Sequence, residues 1–296
     1  MIKSATFYRI TQLPPADFSI LESLESHTFA PCGPTQQIST GFIPPRGPGE
    51  ALCECLNGQL IFKVATETRK VPTDIIEDAV AVRCQQIEAA TGRKPGKKEK
   101  REIKEEALLD LLPKAFPSKA VNSLWIDPVK RAVVIDTSSQ KTADNIVALL
   151  IAAMPDLVLA LVNTQASPGP MMAEWLAQAI TPETLAIDRA LELEAPDETK
   201  RKVKYVNHDL DIPEVTEHLD AGMLPVSLAL TWRSRVSFVL TAGMTLKKIA
   251  FLDIPESLDE HDEFDADAYL ATTEINELLA DLVDELGGEF EADVAL

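Results

Sequence analysis

A chain of 296 residues with 46% hydrophobic side chains has material for one large or two to three small cores, which excludes wholesale disorder. Its formal net charge of −19 is unevenly placed: no Lys or Arg follows Lys248, residues 253 to 296 hold sixteen Asp or Glu, and residues 1 to 252 carry only −3. The start, MIKSATFYRITQLPPADF, has no apolar run behind a basic stretch, and IVALLIAAM is about half of what a bilayer requires, so a soluble, cytoplasmic chain without membrane partners is expected.

In chain order, ATFYRI (5–10) alternates as a strand does, and ADFSILESLESHTF has helical spacing. The connection APCGPTQQISTGFIPPRGPGE is too rich in Pro and Gly for regular helix. ALCECL and QLIFKVATETRKV then flank Asn57-Gly58, the strongest short hairpin signal. A second hairpin reads SLWID, a turn at PVKR, and AVVIDTSS. These pieces predict a curved antiparallel sheet with helices on one face.

Between the hairpins lies a helical insertion. Pro72-Thr73-Asp74 supplies capping residues, and Ile76, Val80, Cys84 and Ile87 recur on one face. Gly92, Pro95 and Gly96 break that helix; a second runs from about Lys97 to Leu112 with Ile103, Ala107 and Leu111 as its stripe, and Pro113 ends it. The result is a helical hairpin whose bend carries positive charge: residues 93 to 104 hold seven Lys or Arg against two Glu.

Further on, TADNIVALLIAAM reads as helix, LVLALV as strand and MMAEWLAQA as a short helix after Pro170, with NTQASPGP marking a boundary near residue 165. Strands TLAIDRALEL and KVKYVNHDL, a helix IPEVTEHLDAG and a long β pair, MLPVSLALTWRSRVSFVLTAGMTLKKIAFLD, follow. INELLADLVDELGG closes the chain as an amphipathic helix, with Leu278, Leu282 and Leu286 on one side and Gly287-Gly288 as its stop.

Local motifs do not indicate an enzyme, a cofactor or a metal. GRKPGKK has the wrong spacing for a phosphate-binding loop and follows a helix instead of a strand. DEHDEFDAD (259–267) clusters carboxylates but lacks the glycine and terminal Glu of a calcium loop, and reads as a solvated acidic linker. His27, His208, His218 and His261 are scattered, and there is no G-x-S-x-G. Cys32, Cys53, Cys55 and Cys84 are too few and irregular for a disulfide framework, and C-x-C in an apolar run suits buried thiols. For the basic bend two readings stand. One is a solvated helix face with Glu99, Glu102, Glu105 and Glu106 pairing to lysines four residues away; the other is a set of phosphate contacts, helped by Lys114, Lys119, Lys130 and Arg131.

FAPCGP, GFIPP, NGQL, TGRKPGKKEK, LLPKAF, LWID, AEWL, HLDAG, LALTWRSRVSFVL, FDADAYLATTEINELL and ELGGE stand in the order and spacing of the bacterial recombination-associated RdgC family, which the chain resembles nearly end to end. The resemblance implies an α+β fold of mixed and antiparallel sheets with packed helices, a protruding helical hairpin tip, and a ring-shaped, head-to-head and tail-to-tail homodimer. It implies a central α/β region (1–72 and 117–165), a helical tip (73–116) and a base with an acidic C-terminal segment (166–296). It further implies a nucleoid-associated protein that binds single- and double-stranded DNA with little sequence preference and restrains RecA-mediated strand exchange.

The family contacts expected to bind DNA are Arg93 and Lys114, joined by Lys94, Lys97, Lys98, Lys100 and Arg101 at the bend and by Lys204; Phe116 is the expected apolar dimer contact. Without the family, Phe116 reads as a helix-end core residue. Two departures stand out: Asn207-His208 replaces a basic and amide pair, with Arg201, Lys202 and Lys204 on the same strand as compensation, and the strand after the NG turn retains only Lys63, Arg69 and Lys70. The competing reading is an acidic protein that mimics DNA or binds a DNA-processing partner through its C-terminal carboxylates. A metal-dependent nuclease built on 259–267 is a third.

Overall fold

Strand β1 (Ser4–Gln12) pairs on both sides and with three partners, so the sheet is organised about it. Its side chains alternate with the period of two that a strand imposes: Ala5 and Phe7 enter one hydrophobic cluster, Tyr8 and Ile10 a second on the opposite face. A computed structural model describes residues 1–15, 20–178, 181–252 and 260–290.

The chain is mixed α+β, with twelve strands in an antiparallel sheet and seven α-helices among the described residues. After α1 (Ile20–Glu25) come β2 (Ile38–Ile43), β3 (Glu54–Leu56) and β4 (Gln59–Arg69). Helices α2 (Thr73–Thr91) and α3 (Lys97–Leu111) interrupt the sheet before β5 (Pro117–Asp127), β6 (Ala132–Ile135), α4 (Gln140–Ala153) and β7 (Val158–Leu161). Then follow α5 (Pro168–Gln178), β8 (Leu185–Glu194), β9 (Lys202–Val206), α6 (Pro213–Asp220), β10 (Leu224–Trp232), β11 (Val236–Thr241), β12 (Leu246–Phe251) and α7 (Glu260–Glu285). The strand order is β2-β4-β5-β6-β1-β12-β11-β10-β8-β9, with β3 added to β4 and β7 to β1. Phe42, Phe62, Leu124 and Ile135 share a cluster with Ile146 and Leu150 of α4; Trp232, Phe238 and Leu240 share one with Leu278 and Leu282 of α7 and Leu286 just after it.

Four expectations need correction. The Pro/Gly-rich connection contains β2, held against the main chain of Phe29 so closely that a Cβ at Gly41 would lie 2.5 Å from the Phe29 backbone nitrogen. The expected long β pair is three strands: Arg233 and Ser234 take positive φ (46° and 55°) in a tight turn between β10 and β11 that carries no glycine signal, and a second turn, with Met244 at φ 56°, separates β11 from β12. The last helix begins at Glu260, so most of the acidic run is helix; Asp259 lies outside the described residues. Helix α5 starts at Pro168, before Pro170, since proline is tolerated in a first turn. Residues 16–19 of the first helical segment also lie outside the described residues.

Candidate nucleic-acid interface

The α2–α3 hairpin forms where the sequence periodicity places it. Ile76, Ile103 and Ala107 are buried, Val80, Cys84, Ile87 and Leu111 are partly buried, and the opposite faces are open to solvent. Gly92 ends α2 in the left-handed region (φ 73°), where its N–H bonds to the Glu88 carbonyl, and Gly96 precedes the first turn of α3. The start of α2 differs from expectation: Pro72 occupies the cap and no side chain caps the helix, although Asp74 sits in the first turn.

The bend is electrostatically divided. The Arg93 guanidinium donates to both Glu99 oxygens, at 2.9 and 3.4 Å, while the Gly96 N–H donates to Glu99 at 3.3 Å. These donors hold the Glu99 carboxyl below the usual range, the Arg93 hydrogen bond contributing most. Arg101 pairs with Glu105 at 3.1 Å, and Arg83 of α2 pairs with Asp110 and, at 3.9 Å, with Glu106. The carboxylates therefore engage arginines, not the lysines expected, because the planar guanidinium fork matches a carboxylate bidentately. Lys94, Lys97, Lys98, Lys100 and Lys104 form no ion pair among the described residues, and all five are exposed.

Past α3 a single 3-10 turn (Leu112–Lys114) carries exposed Lys114. Phe116 is 92% exposed, which excludes the helix-end core reading. On the adjacent strand the Lys119 ammonium lies 4.5 Å from the Phe29 ring centroid, and Lys130 and Arg131 are exposed at the β5–β6 turn.

The other expected cations are less available. Lys204 sits 4.0 Å from Glu192 across the β8–β9 pair, Lys202 bridges Glu192 and Glu194 at 3.1 and 2.9 Å, and Arg201, just before the strand, pairs with Asp197 at 3.0 Å. Their compensation for Asn207-His208 is thus offset by carboxylates opposite in the register. Lys63 points inward: its ammonium donates to the Pro45 carbonyl at 2.5 Å and lies 5.5 Å from the Phe264 ring, and burial lowers its pKa. Arg69 donates to the Cys32 carbonyl at 3.4 Å, and Lys70 is exposed.

Sequence reasoning missed how α7 uses its acids. Arg233 and Arg235 flank the Trp232 ring, each 4.8 Å from its centroid, and pair with Glu277 and Asp281, and with Glu274 and Glu277. Arg46 pairs with Glu54 at 3.0 Å and Asp265 at 2.5 Å beneath the Phe264 ring. No local pattern signals the pairs with α7, since their partners lie between 39 and 219 residues apart.

Comparison with known proteins covers almost the whole molecule. A family model described as "Putative exonuclease, RdgC" matches residues 1–289. The chain belongs to the RdgC family. The recombination-associated protein RdgC of Janthinobacterium sp. (strain Marseille) is 38% identical over 274 residues, 90% of this chain and 91% of the relative. That of Herminiimonas arsenicoxydans is 36% identical over 298 residues, 97% and 98% of the two chains, and that of Bordetella pertussis is 38% identical over 257 residues, 85% and 86%. In this RdgC chain no group of three or more His, Cys, Asp or Glu among the described residues is arranged to hold a metal, and no described helix is long and apolar enough to cross a membrane.

Proposed function

We propose that this RdgC-family chain is a non-catalytic, non-sequence-specific DNA-binding protein of the bacterial nucleoid, which works as a ring-shaped homodimer and restrains RecA-mediated strand exchange. The observation that carries the reading is the group of exposed, unpaired lysines, Lys94, Lys97, Lys98, Lys100 and Lys104, gathered at one end of a helical hairpin. Such a group neutralises phosphates without reading bases. Arg93 and Arg101 extend the surface, partly offset by Glu99 and Glu105, Lys114 adds an exposed cation at the foot of the hairpin, and Lys204 contributes little because Glu192 faces it. Exposed Phe116, which follows α3 at the foot of the hairpin, is the dimer contact, and the hairpin is the tip of the ring.

Fluorescence anisotropy on matched single- and double-stranded oligonucleotides across salt concentrations tests the proposal, with Arg93→Glu/Lys97→Glu/Lys98→Glu alongside. Salt-sensitive binding that this variant loses is expected; unchanged affinity removes the bend from the site. The DNA-mimic reading is disfavoured, because Asp265, Asp267, Glu274, Glu277, Asp281 and Glu289 already pair with cations of the same chain. The family description names an exonuclease, so the same preparation is incubated with plasmid and Mg²⁺ or Mn²⁺; nicking or shortening of the DNA would replace the non-catalytic reading.

A further inference from the structure

Helix α7 is held by two different kinds of contact. Its C-terminal half is an apolar anchor: Ile275, Leu278, Leu279, Leu282 and Leu286 are each at most 4% exposed. Its N-terminal half combines fewer apolar contacts, from Phe264, Ala268 and buried Ala271, with charge. Asp265 pairs with Arg46, Asp267 with the N-terminal ammonium at 3.1 Å, and the Phe264 ring lies 4.7 Å from the Arg46 guanidinium and 5.5 Å from the Lys63 ammonium. Beside these turns an open pocket of about 320 Å³ is lined by Arg46, Lys63, Trp125, Phe264, Ala268 and Ala271. Phe264 and Ala268 are only partly buried where Leu278 and Leu282 are fully so, and the N-terminal half is therefore the part that separates at lower cost.

We infer that Arg46 and Lys63 form a second phosphate-binding surface, and that the acidic first turns of α7 occupy it as an internal substitute for the nucleic-acid backbone. This rests on the DNA-binding reading and adds regulation to it. Asp265 offers Arg46 the carboxylate oxygens that a phosphate would offer, and the Phe264 ring offers both cations a π face that a base would offer. The two occupants exclude one another. Polyanion binding lifts residues 264–272, and removing their hold exposes two further cations. Neither Arg46 nor Lys63 is at the α2–α3 bend, so this surface is separate in sequence and in element from the lysines described above.

The test compares wild type with Phe264→Ala/Asp265→Asn, which removes the contacts of α7 with both cations while changing net charge by one and leaving Lys63 its bond to the Pro45 carbonyl. Arg46 keeps Glu54 as a partner, so the fold is retained, as circular dichroism will show. The control is Asp156→Asn, an equal charge change at an exposed position after α4. The double variant is expected to bind a duplex roughly fivefold or more tightly at low salt, with a salt slope steeper by about 1 to 2; Lys63→Gln added to it reverses the gain. Hydrogen exchange supplies a readout that does not depend on affinity: adding duplex speeds exchange across 264–272 and leaves 275–286 unchanged. A gain no larger than that of Asp156→Asn, or uniform exchange along α7, overturns the inference. If wild type fails to bind DNA, binding by the double variant supports the inference, and silence from both overturns it together with the DNA-binding reading.

Discussion

Lys97 and Lys98 occupy the first turn of α3, where the positive end of the helix dipole makes a cation unfavourable. Neither makes an ion pair among the described residues, in contrast to Arg93, whose charge is offset by Glu99 at 2.9 Å. Neutralising the two lysines should thus remove two phosphate contacts, while neutralising Arg93 removes less than one. On duplex DNA each contact contributes about 0.9 to the slope of log K against log salt, so Lys97→Gln/Lys98→Gln should flatten it by about 1.8. Between 50 and 200 mM salt, the wild-type advantage should therefore shrink by about 12-fold. The same variant should melt at or above the wild-type temperature, because an unfavourable dipole interaction is gone. Anisotropy titrations at four salt concentrations and a thermal melt by circular dichroism read both effects. Equal slopes for wild type and variant would refute the lysine-phosphate assignment. A lowered melting temperature would show that the lysines serve the fold.

Phe116→Glu should leave the melting temperature nearly unchanged, since the side chain is 92% exposed, and should shift the assembly toward monomer in sedimentation velocity. Asn276→Ala leaves the Trp125 indole N–H without the acceptor it finds at 3.3 Å and removes a donor to Asp127 at 3.2 Å; urea unfolding should show a loss of about 1–3 kcal/mol. Burial pushes the Cys53 thiol up to about 12, so at pH 8 iodoacetamide should modify exposed Cys55 first and spare Cys53, as peptide mass mapping will show. Glu99 is held below the usual carboxylate range, so its contribution to the bend is present above that range and is lost as pH falls through its own lower value. Hydrogen-exchange protection factors at the start of α3, corrected for the intrinsic pH dependence of amide exchange, should hold at pH 5 and fall only in stronger acid.

The hairpin was legible because its signals are local. A period of 3.6 in Ile76, Val80, Cys84 and Ile87, with Gly92 and Gly96 as breaks, determines two helices regardless of what surrounds them. Strand β2 was not legible, since its place depends on Phe29 approaching Gly41, a contact between segments that nothing in either announces. The β10–β11 turn was missed for a different reason: Arg233 and Ser234 adopt a conformation usually given to Asn-Gly, and the surrounding ladder imposes it. Charge was the hardest to read. A lysine on an alternating strand is assigned to solvent by pattern alone, yet Lys63 lies beneath a helix that begins almost two hundred residues later.

That last point bears on the acidic C-terminal segment. Arg9, Arg46, Arg233 and Arg235 are cations of the sheet region, and each is paired with a carboxylate from residues 265 to 289. The segment therefore acts first on the protein's own surface, neutralising these four arginines and leaving the lysines of α3 as the most closely spaced positive charge. A polyanion approaching such a molecule is repelled over most of its surface and attracted at one end, with the repulsion screened beyond about 8 to 10 Å at physiological salt. On this view the −19 net charge and DNA binding are compatible, because the acids restrict where a phosphate can settle. The consequence is measurable: Glu274→Gln/Glu277→Gln/Asp281→Asn should release Arg233 and Arg235 to bind DNA away from the hairpin. Binding by the Lys97→Glu/Lys98→Glu variant should then be partly restored, at the expense of stability. Failure of the triple amide variant to restore any binding would show that the acids of α7 serve the core alone.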